Sequence, residues 1–147
     1  DAAKFPPIGD RGIDNAGLDS DFHVHDPDEY VAWANQETFL AVQIETPEAV
    51  HNAEAIAAVE GVDIVFVGPG DLSLRLRQSG EMTLDDAWEI VAAACKKHGK
   101  AFGGPTMGIK EMQKRHRLGA QLLVNSSEFH GWSSSLADEI KQFGELD

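Results

Sequence analysis

Leu40 to Ser73 reads LAVQIETPEAVHNAEAIAAVEGVDIVFVGPGDLS, and the rest of the chain is arranged around it. Two short apolar runs each end in a carboxylate. In the first, Phe39 to Glu45, side chains alternate between faces, so Ala41, Gln43 and Glu45 share one side while Val42 and Ile44 share the other. Thr46-Pro47 then signals a helix start, with Thr46 as N-cap and Pro47 at the first helical position, where its missing N–H does no harm. Val50, Ala53, Ile56 and Ala57 recur at helical spacing, which predicts one amphipathic helix closed by Gly61. Val62 to Val67 is the second run, followed by Gly68-Pro69-Gly70-Asp71-Leu72-Ser73. The pattern predicts a strand–helix–strand unit with an acid at each strand exit.

Parallel α/β folds gather their chemistry at the carboxyl ends of strands. Two carboxylates there, Glu45 and Asp71, beside a glycine-rich turn, suit a hard cation. The competing reading has Glu45 capping the following helix and Asp71 capping a short helix after Gly70. Gln43 favours the site, because a polar group inside a run expected to be buried needs a partner or a ligand.

The three motifs resemble the HpcH/HpaI aldolase family: QIET at 43–46, GPGDLS at 68–73, and FPPIGDRG at 5–12. The resemblance runs the length of the chain and implies metal-dependent pyruvate aldolases acting on 4-hydroxy-2-oxo acids. It implies an α/β fold, the second half (about four βα units) of a TIM-type (β/α)8 barrel of the phosphoenolpyruvate/pyruvate superfamily. Residues 1–147 then form a single partial barrel domain, with 1–27 irregular and 28–147 supplying the strand–helix units. It assigns Glu45 and Asp71 to a divalent metal (Mg2+ or Mn2+, with Co2+ an alternative). Substrate contact falls to Gln43 and to the Gly70 and Asp71 backbone N–H groups. The 5–12 loop lies near the mouth of the family's site, which makes Arg11 a further candidate. The family's catalytic histidine and its pyruvate-polarising arginine belong to the other half of the barrel, and no position here matches either. The polypeptide by itself is therefore expected to be weakly active or inactive.

The remaining chain fits four units. A short helix over about 28–35 leads into the first strand. After Ser73, residues 75–81 read as a polar surface excursion. Thr83 caps a helix to His98 with Trp88, Val91 and Cys95 on its apolar side, and Gly99 stops it. Strands follow at 100–103 and 121–125, separated by a helix over 109–118. Ser133 or Ser134 is expected to cap the last helix, with Leu136, Ile140 and Phe143 as its buried face and Trp132 as a packing anchor before it. A barrel of this kind takes about 250 residues, so four units make half of one. A flat doubly wound sheet is the open alternative.

Composition narrows the partners. A net charge of −13 from 25 acidic and 12 basic residues opposes nucleic acid. It also gives little support to a related lyase acting on an acyl-CoA substrate, which would need a basic groove for the CoA phosphates. No apolar stretch is long enough to span a membrane. The single cysteine, Cys95, excludes an internal disulfide and fits a reducing cytoplasm. His23 and His25 form an H-x-H pair of the zinc-binding type, but the flanking Asp21, Asp26 and Pro27 read as loop. Expected partners are a small 2-oxo acid (pyruvate) and an aldehyde. A homo-oligomer, or a complementing half barrel, is expected to cover the open strands. Two functions stand against each other: an aldehyde-lyase, and a non-catalytic half barrel kept for assembly.

Overall fold

The computed structural model describes residues 1–14, 17–23 and 26–146, and the chain divides into two compact units, Asp1–Leu40 and Ala41–Asp147. In the first unit, the stretch expected to be loop around Asp26 is a helix start. Asp26 accepts hydrogen bonds from the N–H groups of Asp28 and Glu29, and Pro27 opens helix α1 (Pro27–Glu37). Ahead of it, Leu18–His23 winds into a 3-10 segment broken at Asp21 and Phe22. Phe5 is buried against Tyr30, ring centroids 5.7 Å apart, with Ala34 completing the cluster. Asn35 clamps the Phe5 backbone at both ends, accepting from its N–H at 2.8 Å and donating to its carbonyl at 3.1 Å. These contacts tie the irregular N-terminal segment to α1.

The second unit holds four parallel strands: β1 (Ala41–Ile44), β2 (Ile64–Val67), β3 (Ala101–Pro105) and β4 (Leu122–Val124). Their order is sequential, β1-β2-β3-β4. A doubly wound sheet needs a reversal of strand order and cover on both faces, and among the described residues of this unit the sheet shows neither. Val65, Val67 and Ile44 are fully buried on the helix-covered face, whereas Ala41, Gln43 and Val124 on the other face are exposed. That corrects the premise used for Gln43: its run is buried on one side only.

Helices return the chain between strands. Thr46 caps as expected, accepting from the Ala49 N–H at 3.0 Å. The single helix expected to follow is two, α2 (Pro47–His51) and α3 (Ala53–Ala57), because Asn52 adopts φ −92°, ψ 8° between them. Asparagine side chains compete with the helical backbone, which makes it a natural break point. The apolar face survives the break, with Val50, Ala53 and Ala57 all buried. α5 (Leu84–His98) starts on a reciprocal capping box between Thr83 and Asp86 and ends on Gly99 in the left-handed region. Its Trp88 is fully buried and packs edge-on to Phe102. A Cβ on Gly104 would stand 2.7 Å from both Trp88 and the Val67 carbonyl oxygen, so β3 admits no side chain there.

α6 (Ile109–Arg117) carries Arg115, which is 3% exposed. Its guanidinium lies 4.7 Å from the Trp88 ring centroid and 2.8 Å from an Asp85 carboxylate oxygen. The last helix, α7 (Glu128–Phe143), begins earlier than expected. Ser127 caps it by accepting from the His130 N–H at 3.2 Å, which leaves Ser133 and Ser134 inside the helix. Trp132 is likewise within α7 and 76% exposed, and Leu136, Ile140 and Phe143 are exposed too, so no buried face forms on this chain. No helix among the described residues is long and apolar enough to cross a membrane.

Candidate functional site

The site is built where β1 and β2 end. Their register sets Gln43 beside Phe66 and Ile44 beside Val67, and the Gly68 N–H donates to the Ile44 carbonyl at 2.9 Å. This brings Gly68 under the Glu45 side chain. A Cβ at position 68 would fall 2.6 Å from Glu45 Cγ, 2.9 Å from Glu45 Oε1 and 3.2 Å from Gln43 Nε2. Gln43 donates from Nε2 to Glu45 Oε1 at 2.7 Å. The amide fixes one carboxylate oxygen, and the glycine supplies the space in which the pair stands.

Asp71 arrives from the next element. The expected short helix after Gly70 is a full one, α4 (Pro69–Ser79), with Gly68 at the cap position and Pro69 opening it. Asp71 therefore sits in the first turn instead of capping, and the polar stretch read as a surface excursion is the body of this helix. Leu72 and Leu76, one turn apart and both buried, hold it down. Gly80 ends it in the left-handed region, φ 67°. First-turn N–H groups lack intrahelical partners, so those of Gly70 and Asp71 are available at the strand exit. The helix dipole adds partial positive charge there.

Arg75 went unrecognised in the sequence. Its Nη1 stands 3.2 Å from Asp71 Oδ1 and donates to the Glu45 carbonyl at 3.3 Å. Both side chains of that ion pair are about half exposed, so its energetic worth is small. Its effect is positional, since one guanidinium spans the exits of both strands. The signal was the i, i+4 spacing from Asp71, legible only once a helix is assigned there. Glu45 Oε2 and Asp71 Oδ2, the second oxygen of each carboxylate, accept no protein hydrogen bond among the described residues.

The other candidates are elsewhere. Arg11 belongs to the N-terminal unit, its guanidinium 4.4 Å over the Phe5 ring centroid. The H-x-H reading falls on His25, outside the described residues. His51 lies in α2, 3.2 Å from Glu81, while His98, His116 and His130 lie in α5, α6 and α7. His130 is in the first turn of α7, after β4, and none of the four stands at the exits of β1 and β2. Among the described residues no cluster of three or more histidine, cysteine, aspartate or glutamate side chains gathers around one point. What the site offers a metal is two hard carboxylate oxygens on adjacent strand exits, which fits an ion such as Mg2+ or Mn2+ that takes its other ligands from water and substrate.

A family model described as HpcH/HpaI aldolase/citrate lyase matches residues 3–131. The chain belongs to the HpcH/HpaI aldolase/citrate lyase family. This HpcH/HpaI chain is 35% identical, over 96% of its length, to 5-keto-4-deoxy-D-glucarate aldolase of Klebsiella pneumoniae subsp. pneumoniae. It is 31% identical, over 98% of its length, to 4-hydroxy-2-oxovalerate aldolase of Novosphingobium aromaticivorans. It covers 57% of the first and 55% of the second, so it spans a little over half the length of these relatives. The HpcH/HpaI aldolase structure from Desulfitobacterium hafniense superposes on 99% of the chain with a TM-score of 0.80 at 33% identity, using 57% of its own length. The HpcH/HpaI chain thus has the α/β fold of half a TIM-type barrel, its four sequential parallel strands making up the sheet.

Proposed function

We propose that this chain carries the cation- and pyruvate-binding half of a class II aldolase, which reversibly cleaves a 4-hydroxy-2-oxo acid to pyruvate and an aldehyde. The observation that supports it most is the pair Gln43–Glu45 standing over Gly68, one strand away from the first turn of α4. Glu45 and Asp71 would hold the divalent ion. Such an ion, when bound, supplies Lewis-acid stabilisation of the negative charge that develops on the ketone oxygen as the carbon–carbon bond breaks.

The chain's own groups do the rest of what it can do. The Gly70 and Asp71 N–H groups, at a helix start, bind the substrate carboxylate. Gln43 holds Glu45 in one orientation and presents its amide to the bound 2-oxo acid. Arg75 steadies Asp71 and supplies local positive charge in a chain of net charge −13. Of the histidines in the second unit, none lies in β1, in β2 or in the first turn of the helices that follow them. Proton transfer is therefore assigned to residues outside this chain, and the chain alone is expected to bind without turning over at enzymatic rates.

Calorimetric titration with Mn2+ and then pyruvate tests this, alongside pyruvate release from a 4-hydroxy-2-oxo diacid with and without chelator. We expect Mn2+ binding that Glu45→Gln lowers at least tenfold, pyruvate binding that needs the metal, and little turnover. Absence of metal binding in the unaltered chain would overturn the reading in favour of a half barrel retained for assembly. Rapid chelator-sensitive release would instead place a proton-transfer group within these residues.

A further inference from the structure

α4 works on two faces. At about 100° per residue, Arg75 stands about 40° round the helix from Asp71, whereas Leu76, Ser73 and Arg77 stand about 140°, 200° and 240° from it. Asp71 and Arg75 meet at the strand exits, and the other three lie on the side of the helix away from them. On that side, towards the start of α5, the surface opens into a cavity of about 380 Å3 lined by Ser73, Leu76, Arg77, Met82, Thr83 and Leu84. Small-molecule sites run from roughly 300 to 1,000 Å3, with a mainly apolar lining and a few polar groups. This one has that make-up: Leu76 is buried, Met82 and Leu84 are half-buried, and Arg77 is the one charged residue of the lining.

The polar groups of the lining differ in what they have left to offer. The Thr83 hydroxyl is committed, donating to Asp86 Oδ2 at 2.7 Å and accepting from the Asp86 N–H at 3.1 Å. The Ser73 hydroxyl and the Arg77 guanidinium make no hydrogen bond or ion pair among the described residues, although Arg75, two residues away, has Asp71. A guanidinium fork matches the oxygens of a carboxylate or a phosphate. Charge chooses between them. Glu81 adjoins Met82 in the chain and Asp86 is bonded to Thr83, so a phosphate dianion would meet two nearby acids with one guanidinium and one hydroxyl to hold it. A carboxylate brings a single charge, and an alkyl chain behind it meets Leu76, Met82 and Leu84. We infer that this groove binds a short aliphatic carboxylate, Arg77 and Ser73 receiving the carboxylate and the three apolar side chains the alkyl tail. It is separate from Glu45 and Asp71 and does not depend on the cation-binding reading.

Titration of the methyl-labelled chain with sodium hexanoate, followed by NMR at constant ionic strength and with chelator present, tests this apart from any metal. The methyl resonances of Leu76, Met82 and Leu84 should shift together and saturate with a Kd of about 1 mM, modest for a ligand of this size. Hexan-1-ol, which keeps the tail and lacks the charge, should bind roughly fivefold more weakly, and hexylammonium should leave the three resonances in place. Arg77→Gln should weaken hexanoate roughly fivefold, with Arg77→Lys between the two because the fork is lost and the charge kept. Arg77 is exposed and unpaired, so both variants keep their circular dichroism. Any of four results would overturn the inference. No saturable shift up to about 20 mM would mean an empty groove, and equal affinity for hexanol and hexanoate, or for the parent and Arg77→Gln, would remove Arg77 from it. Shifts at Leu136 in place of the three would put the alkyl chain on the exposed side of α7. Inorganic phosphate moving the same resonances as well as hexanoate does would assign the groove to phosphorylated ligands.

Discussion

Gly68 has an ordinary backbone, φ −93° and ψ 88°, so alanine there meets no torsional penalty. What it meets is Glu45 and Gln43, through atoms that are side chain and not backbone. Such atoms give way by rotating, and the fold survives while the Gln43–Glu45 hydrogen bond does not. Gly68→Ala is accordingly expected to keep its melting temperature within a few degrees and to lose on the order of tenfold in Mn2+ affinity, about 1.4 kcal/mol. Calorimetry beside thermal unfolding separates the two. Collapse of stability with affinity intact would mean that the glycine serves the sheet and not the site. Read from sequence, Glu45, Asp71 and Gln43 were visible as polar residues at the ends of apolar runs. Arg75 was not, because its meaning depends on a helix that runs through residues expected to form a polar surface excursion. For Gln43 the expected burial does not occur: the open face of the sheet leaves it exposed, and Glu45 is its hydrogen-bond partner.

Among the elements, those with a side-chain cap just ahead of an apolar repeat were legible. Thr46-Pro47 and Thr83 with Asp86 announce α2 and α5 by chemistry local to a few residues. α7 was misplaced because Ser126, Ser127 and Ser133 to Ser135 all offer the same capping hydroxyl, and only tertiary context chooses Ser127. The junction of α5 and α6 was invisible, since Asp85, Trp88, Glu111 and Arg115 meet only in three dimensions. Hydrogen bonds from Lys114 and Arg115 hold the Asp85 carboxyl below its ordinary value. A depressed carboxyl contributes stability above its unfolded value, near 3.8, and loses it as pH falls through the folded one. Acid unfolding of Asp85→Asn should therefore be shallower than that of the parent below about pH 4. At pH 7 Asp85→Ala should cost about 1–2 kcal/mol, because buried Arg115 loses the shorter of its two carboxylate contacts and keeps that to Glu111. Denaturant titrations at pH 7 and pH 3 measure both. Equal losses at the two pH values would remove Asp85 from the account.

For the molecule as a whole, four βα units in series were readable from alternating runs and helix signals. Whether they lie in a flat or a curving sheet was not, because both architectures use the same local pattern. The sequential strand order and the one-sided cover decide it. Charge also acts at this scale. With 25 acids against 12 bases, self-repulsion opposes the compact state and added salt screens it. Raising NaCl from about 10 to 200 mM is expected to raise the melting temperature by roughly 2–4 °C, followed by circular dichroism. A fall would show that the local ion pairs outweigh the net charge. Two glycines described above also carry a history. Gly104 is pressed against Trp88 and the Val67 backbone, so any descendant that keeps the architecture inherits it. At Gly68 the atoms nearest an added Cβ belong to the residues of the site, and a lineage that abandoned the reaction would release it to drift. The pair is thus a record in which retired members of the lineage can be told from working ones.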